Sequence, residues 1–284
     1  MKNELSTQKT INDAVFNGIR KTINRFREKP FIYFTESDIH ASLSKDIMER
    51  NSDIFVIGKK IKGRSIVKTP ISLVHHEYPT NFRFNGTLLK TSDSKIDEID
   101  SMNNNVKSTD RGHYDLAVLN PSFIDDLCKK HPDNIMDAMK HIINKNNSLI
   151  NVRGDTNNEV LFAIEVKFIH TFNAGNKTMI NEVKKDIHKL QYALKFSENF
   201  IKPIVLIFCS SDYVQSNNYS VIKKIKDDLG LNSNTNQGIC TVFIESFFSK
   251  KNSKNTPKPL INFNPIQPGE DWTTNLKRML LHEL

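Results

Sequence analysis

The chain has little cysteine, little glycine and no long apolar run, and each shortage closes a class of explanation. Three cysteines, Cys128, Cys209 and Cys240, form neither an even set nor metal-ligand spacing, which argues against a disulfide framework or a cysteine zinc site. Two of them sit inside apolar runs that read as buried strands, implying a reducing, cytoplasmic setting. Ten glycines, none of them in a Gly-rich loop, leave no phosphate cradle of the P-loop or dinucleotide type. No apolar stretch approaches the roughly 18 residues needed to cross a bilayer, and Met1-Lys2-Asn3-Glu4 is not followed by a signal-peptide core. No membrane partner is expected, and no repeat recurs at a fixed period.

What remains is 284 residues at 38% hydrophobic, enough to enclose a core as one large α/β domain or two small ones. Lys and Arg number 40 against 32 Asp and Glu, and the resulting charge of +8 favours polyanionic partners. A coding bias toward Lys, Asn and Ile raises the charge equally well.

Ile11, Val15, Ile19, Ile23 and Phe26 recur at helical spacing with Arg20, Lys21, Arg25 and Arg27 between them, and Pro30 stops that helix. Thr35 reads as the N-cap of a second helix running to about Arg50, whose stripe Ile39, Leu43 and Ile47 shares its face with Glu36 and His40. Ile71 to Tyr78 reads as a strand ended by Pro79, Asn81 to Leu89 as a further strand or hairpin, and 91–112 as a polar loop. Tyr114 to Leu119 is a second strand and Phe123 to Ile143 a helix broken near Pro132. Val160 to Ile169 is almost continuously apolar, as a central buried strand should be. A helix from Thr178 to Glu198, a strand Ile204 to Cys209, a basic helix Tyr219 to Leu229 and a strand Ile239 to Glu245 follow. Residues 250–268 read as a surface tail, and a short amphipathic helix around Trp272 to Leu281 closes the chain. This order describes an α/β sandwich with a mixed sheet.

Charges interrupt the apolar strands. Glu165 and Lys167, two apart in a strand, share one face, and Asp115 stands among Tyr114, Leu116, Ala117, Val118 and Leu119. An unpaired buried charge costs several kcal/mol, so each needs a partner, a metal or solvent. Glu77 and Glu36 are further intruders. Carboxylates beside one lysine suit metal-assisted phosphodiester hydrolysis, because hard oxygen ligands hold Mg²⁺ or Mn²⁺ and a lysine can orient the attacking water. The plain alternatives are a structural ion pair at Glu165 and Lys167, a carboxylate satisfied by amides at Asp115, and a helix-dipole charge at Glu36. His75 and His76 point to opposite faces of a strand, which disfavours zinc.

Arg111-Gly112-His113-Tyr114-Asp115-Leu116-Ala117-Val118-Leu119 and Ala163-Ile164-Glu165-Val166-Lys167 together resemble the two acidic strands of the PD-(D/E)XK, or restriction-endonuclease-like, nuclease superfamily. Thr35-Glu36-Ser37-Asp38-Ile39 resembles the start of its first core helix, and His76-Glu77-Tyr78-Pro79 the glutamate-bearing first strand of some branches. Two Glu-x-Lys triplets occur, as chance alone would supply, and the other, Glu182-Val183-Lys184, falls on a helix. Tyr114 stands where the family has proline, and the 50-residue step from Asp115 to Glu165 exceeds the family's short hairpin; a helical excursion from Phe123 to about Asn146 would fill it.

The resemblance implies a restriction-endonuclease-like α/β core at 35–245, a central mixed sheet flanked by helices with a helical insertion near 122–146. A basic amphipathic helix at 1–34 precedes it and an extension at 246–284 follows. It implies a Mg²⁺-dependent deoxyribonuclease, with Mn²⁺ substituting, that leaves a 5′-phosphate and a 3′-hydroxyl. Asp115 and Glu165 would hold the ion, the Val166 carbonyl would complete its shell, and Lys167 would position water. Glu36 or Glu77 would support a second ion or that water, and Gln191, from the stripe Lys184, His188, Gln191 and Lys195, would reach the site from the following helix. DNA is the expected partner, tracked by Arg20, Lys21, Arg25 and Arg27 or by Lys223, Lys224 and Lys226. A homodimer is an option, as in many nucleases of this fold. A noncatalytic nucleic-acid-binding or interaction module, and a resolvase or repair nuclease selective for branched DNA, are the alternatives.

Overall fold

The computed structural model describes residues 2–49, 56–57, 71–83, 111–131, 134, 137–140, 142–143, 159–170, 177–197, 200–211, 223, 226–229, 238–247, 259–262, 272, 276, 278 and 280. Residues 91–110 of the loop expected at 91–112, the loop expected at 144–158 and most of the helix expected over Tyr219 to Leu229 lie outside them, while Arg111 and Gly112 belong to a strand rather than to that loop.

Helix α1 spans Lys2–Glu28 and a 3-10 turn follows at Pro30–Ile32. Helix α2, Glu36–Met48, starts where Thr35 and Asp38 cap each other's backbone N–H groups in a capping box. The two helices pack closely because Gly18 presents no side chain to Ile47. A Cβ there would lie 2.5 Å from Ile47 Cγ1 and 2.8 Å from its Cα. Across the same interface the buried Asp46 carboxylate accepts from Arg25 at 2.8 and 3.0 Å and from Thr22 at 2.8 Å. Lys21 ion-pairs with Glu49, so two of the basic residues expected to face a phosphate backbone are engaged within the chain.

A two-stranded pair joins β1, Val56–Ile57, to β2, Ile71–Ser72. The main sheet has six strands in the order β3-β4-β5-β6-β7-β8. These are Val74–Arg83, Arg111–Leu119, Val160–His170, Lys202–Ser211, Cys240–Phe247 and Leu260–Asn262. The first three run antiparallel, β5, β6 and β7 run parallel, and β8 returns antiparallel to β7. Helix α3, Pro121–Lys130, leaves the end of β4 under an Asn120 cap, and α4, Lys177–Phe196, is the crossover that a parallel β5–β6 pair requires. The chain is thus α/β, with a mixed sheet flanked by helices.

The core is continuous from α1 through the sheet. Phe16, Phe26, Phe162, Phe208 and Phe243 are all buried, and Phe26 meets Phe168 and Phe208 edge-on. Leu276 and Leu280 are fully buried and Trp272 stacks on Phe16, so the last apolar residues also dock on this core.

Several boundaries differ from the sequence pattern, and two of them have a plain physical reason. Proline does not end the first long strand: β3 continues through Pro79 to Arg83, and Pro79 pairs with His113. An edge strand tolerates this, because half of its N–H groups have no ladder partner to lose. Within 250–268, Leu260–Asn262 is an edge strand rather than surface tail; three residues are too short for periodicity to reveal.

Candidate active site

The site forms where two strands part. β4 and β5 are paired from Leu119 to Leu116, opposite Val160 to Ile164, and no further backbone pair joins them. At the next position the Asp115 carboxylate accepts the Val166 N–H at 2.8 Å, taking the place of a main-chain carbonyl. Continuing the register puts Asp115 opposite Glu165, so the 50-residue connection does not keep the two strands apart. A residue's N–H and C=O leave an extended strand on the same side, so the Val166 carbonyl also faces β4.

The alternation of β5 sends Glu165 and Lys167 to one face, where two helices meet them. From α2, Glu36 Oε1 lies 3.0 Å from Lys167 Nζ, and Glu36 Oε2 accepts the Phe168 N–H at 3.3 Å. His40, one turn on, places Nε2 3.5 Å from Asp115 Oδ2. From α4, Asp186 Oδ2 is 3.2 Å from Lys167 Nζ and its Oδ1 is 3.2 Å from Lys189 Nζ. Lys189 reaches Glu165 Oε2 at 2.9 Å and donates to the His113 carbonyl at 2.7 Å. Lys167 Nζ is also 4.0 Å from Asp115 Oδ2.

Electrostatics follow from this packing. Burial pushes the Asp115 pKa up, but His40, Lys167 and the Val166 amide outweigh it and hold the carboxyl at about 2. Burial likewise opposes the charge of Lys167, yet Asp186, Asp115 and Glu36 raise its pKa, so the ammonium stays protonated. Lys189 is raised in the same way by Glu165 and Asp186. Glu165 differs: its side chain is 0% exposed, and burial, with help from Asp115 and Asp186, drives its pKa well up against the pull of Lys189.

Four carboxylates, Glu36, Asp115, Glu165 and Asp186, face two ammonium groups, Lys167 and Lys189. The carboxyl groups outnumber the ammonium groups, an imbalance that a bound cation would offset. Glu165 Oε1 and His40 Nε2 are buried without a hydrogen-bond partner. One ligand atom each from Glu36, His40 and Asp115 falls within a 4.8 Å span. Oxygen ligands sit about 2.0–2.1 Å from Mg²⁺, so small side-chain movements bring such a set onto one ion. Carboxylates suit Mg²⁺ or Mn²⁺, and an imidazole among them is better matched to Mn²⁺.

No protein-family model, no curated protein and no solved structure matches this chain. Its site therefore stands on its own geometry.

Of the residues that the resemblance implies, Asp115, Lys167 and Glu36 lie in direct reach of one another, and Glu165 joins them through Lys189 and Asp186. Glu77 lies on β3 between the His76–Leu116 and Tyr78–Tyr114 pairs, facing Asp115 across the ladder. Its φ of 48° is left-handed, a strained setting for a glutamate, and its side chain is exposed. Among the described residues no hydrogen bond or ion pair joins Glu77 or Gln191 to the cluster. Asp186 and Lys189 were not singled out by the sequence pattern. They flank the buried stripe Val183, Ile187, Leu190 and Leu194 on the side opposite Gln191, and periodicity does not tell which flank meets the sheet. The available signal was an Asp-x-x-Lys pair bordering an apolar stripe. His40 was legible as facing inward, though its approach to Asp115 was not.

Proposed function

We propose that this chain is a metal-dependent deoxyribonuclease with a restriction-endonuclease-like core. The observation that carries this reading is the convergence of Asp115, Glu165, Glu36 and Lys167, from two strands and a helix, at the fork between β4 and β5, where carboxyl groups outnumber ammonium groups. An antiparallel β3-β4-β5 unit, a crossover helix and the parallel strand β6 are the order expected of such a core.

Asp115, Glu165 and Glu36 would hold the ion, with the Val166 carbonyl as a further oxygen and His40 as a nitrogen donor. A bound Mg²⁺ or Mn²⁺ supplies Lewis-acid polarisation of the phosphoryl group and a more acidic water. Lys167 has three donor hydrogens and two carboxylates within 3.2 Å, leaving one to point at that water or at a phosphate oxygen. Because its charge is locked on, Lys167 orients and neutralises rather than accepting a proton. Asp186 fixes the Lys167 ammonium from the α4 side, and Lys189 does the same for the Glu165 carboxylate.

Cleavage of plasmid and linear DNA with Mg²⁺ and with EDTA tests the reading. Metal-dependent cutting should disappear in Asp115→Ala and Lys167→Ala. Cutting that persists in both variants removes these residues from the mechanism. One observation favours a second reading, a noncatalytic nucleic-acid-binding module: Lys189 already neutralises part of the buried acid, as a purely structural ion network would. A chain that binds DNA in Mg²⁺ but never cuts it would support that alternative.

A further inference from the structure

Phe31, Ile32 and Phe34 are the large apolar side chains most open to solvent among the described residues, at 52%, 41% and 77% exposure. They sit in the turn before α2, whose backbone is pinned from Ile32 to Thr35. Ile32 N–H donates to Lys29 O and Tyr33 N–H to Pro30 O, both at 3.2 Å, while Phe34 and Thr35 N–H donate to Asp38 Oδ2 at 2.9 and 2.8 Å. Tyr33 points inward instead, packing on Phe26 with its hydroxyl 3.1 Å from Ser42 Oγ. The exposed rings are thus presented on a rigid turn rather than left by a loose loop.

Their position relative to the carboxylate cluster decides what they suit. Glu36 is the most open member, 34% exposed, while the side chains of His40, Asp115, Lys167 and Asp186 are 13–15% exposed and Glu165 is closed. A strand entering the cluster therefore comes in beside Glu36. Phe34 is two residues away, at most about 7 Å along the backbone, and stacked nucleotides of one strand are spaced about 3.4 Å apart. Lys29, exposed at the start of the same turn, adds a cation suited to a phosphate. The three side chains offer about 300 Å² of apolar surface, the size of a functional patch and well short of the roughly 800 Å² per partner that a stable dimer buries.

We propose that Phe31 and Phe34 form a stacking platform for unpaired bases at the mouth of the carboxylate cluster, so that the substrate is single-stranded DNA or a single-stranded end or flap. This deepens the nuclease reading and rests on it. Stacking on an exposed ring tolerates any base, so the platform selects for strand state and not for sequence.

The test is fluorescence anisotropy in EDTA, which prevents cutting, with a labelled oligothymidylate of about 20 nucleotides, an abasic strand of equal length and the matching duplex. The double variant Phe31→Ala/Phe34→Ala should lose roughly fivefold to a hundredfold in affinity for the oligothymidylate, with duplex binding unchanged. Phe34→Trp should retain that affinity. The abasic strand should bind wild type no better than the double variant binds the oligothymidylate. No binding of the oligothymidylate by wild type, an unaltered affinity in the double variant, or equal losses on both strand states would overturn the proposal. So would a wild-type dimer in sedimentation that the double variant abolishes, since the patch would then be covered by a second copy. Both positions are exposed, so circular dichroism should show an unchanged fold. Asp115→Ala is measured alongside: cleavage surviving in it sinks the nuclease reading, while the binding comparison still reports on the platform by itself.

Discussion

Replacing Lys189 by methionine isolates the charge at the heart of the cluster, because methionine keeps most of the length and apolar bulk of the lysine stem. In the native chain Lys189 Nζ lies 2.9 Å from Glu165 Oε2, 3.2 Å from Asp186 Oδ1 and 2.7 Å from the His113 carbonyl. Asp186 retains Lys167 when Lys189 is lost, but Glu165, 0% exposed, has no other cation within ion-pair distance among the described residues. Removing one partner of a buried pair costs about 3–5 kcal/mol, a large part of the roughly 5–15 kcal/mol that holds a domain folded. Removing both charges is milder, so Glu165→Leu with Lys189→Met should be more stable than Lys189→Met alone. The loss also has a pH sign. A carboxyl whose folded pKa lies above its unfolded value, 4.5 for glutamate, holds its proton more tightly when folded. Its penalty therefore grows as pH rises from that value and fades as pH falls, so Lys189→Met should approach wild type in acid. Urea unfolding with an unchanged slope reads all three effects. A loss under about 1 kcal/mol in Lys189→Met at neutral pH, the range of ordinary surface changes, would refute the buried-pair reasoning.

Two further outcomes follow from other contacts. Asp115 is held at about 2 against 3.8 for a free aspartate, a depressed carboxyl whose stabilisation is present above the unfolded value and lost as pH falls through the folded one. Wild type should therefore lose about 2 kcal/mol more than Asp115→Asn between roughly pH 5 and pH 2, read from urea midpoints. Gly18→Ala drives a Cβ against the Ile47 backbone and should cost at least about 1–3 kcal/mol, seen as a lowered Tm, because backbone cannot step aside as a flexible side chain can.

Much of the fold was legible because its signals are local. Helices α1 and α2 follow from stripes such as Ile11, Val15, Ile19 and Ile23, and the Thr35 cap from a hydroxyl before acidic residues. Strand β5 stood out because a strand buried on both faces has no alternation to hide it, and for the same reason Glu165 and Lys167 stood out within it. Strand pairing across 50 residues is not local, and only the coordinates show β4 joined to β5 beneath Asp115. The same limit explains Asp186 and Lys189. Their row on α4 becomes special only once the helix is set down with that flank toward Lys167 and the His113 carbonyl. Glu77 was expected at a strand end; β3 runs past it and instead turns it outward at a left-handed residue, a local conformation with no sequence signature in a glutamate.

Calorimetric titration with Mn²⁺ tests most directly whether Asp115, Glu165 and Glu36 form one cation site. Wild type should bind with measurable heat, and Asp115→Asn and Glu165→Gln should each weaken that binding by about tenfold or more, since each removes one of the few charged ligands. Absence of binding in wild type, or heats unchanged in both variants, would contradict it and leave the cluster a structural ion network.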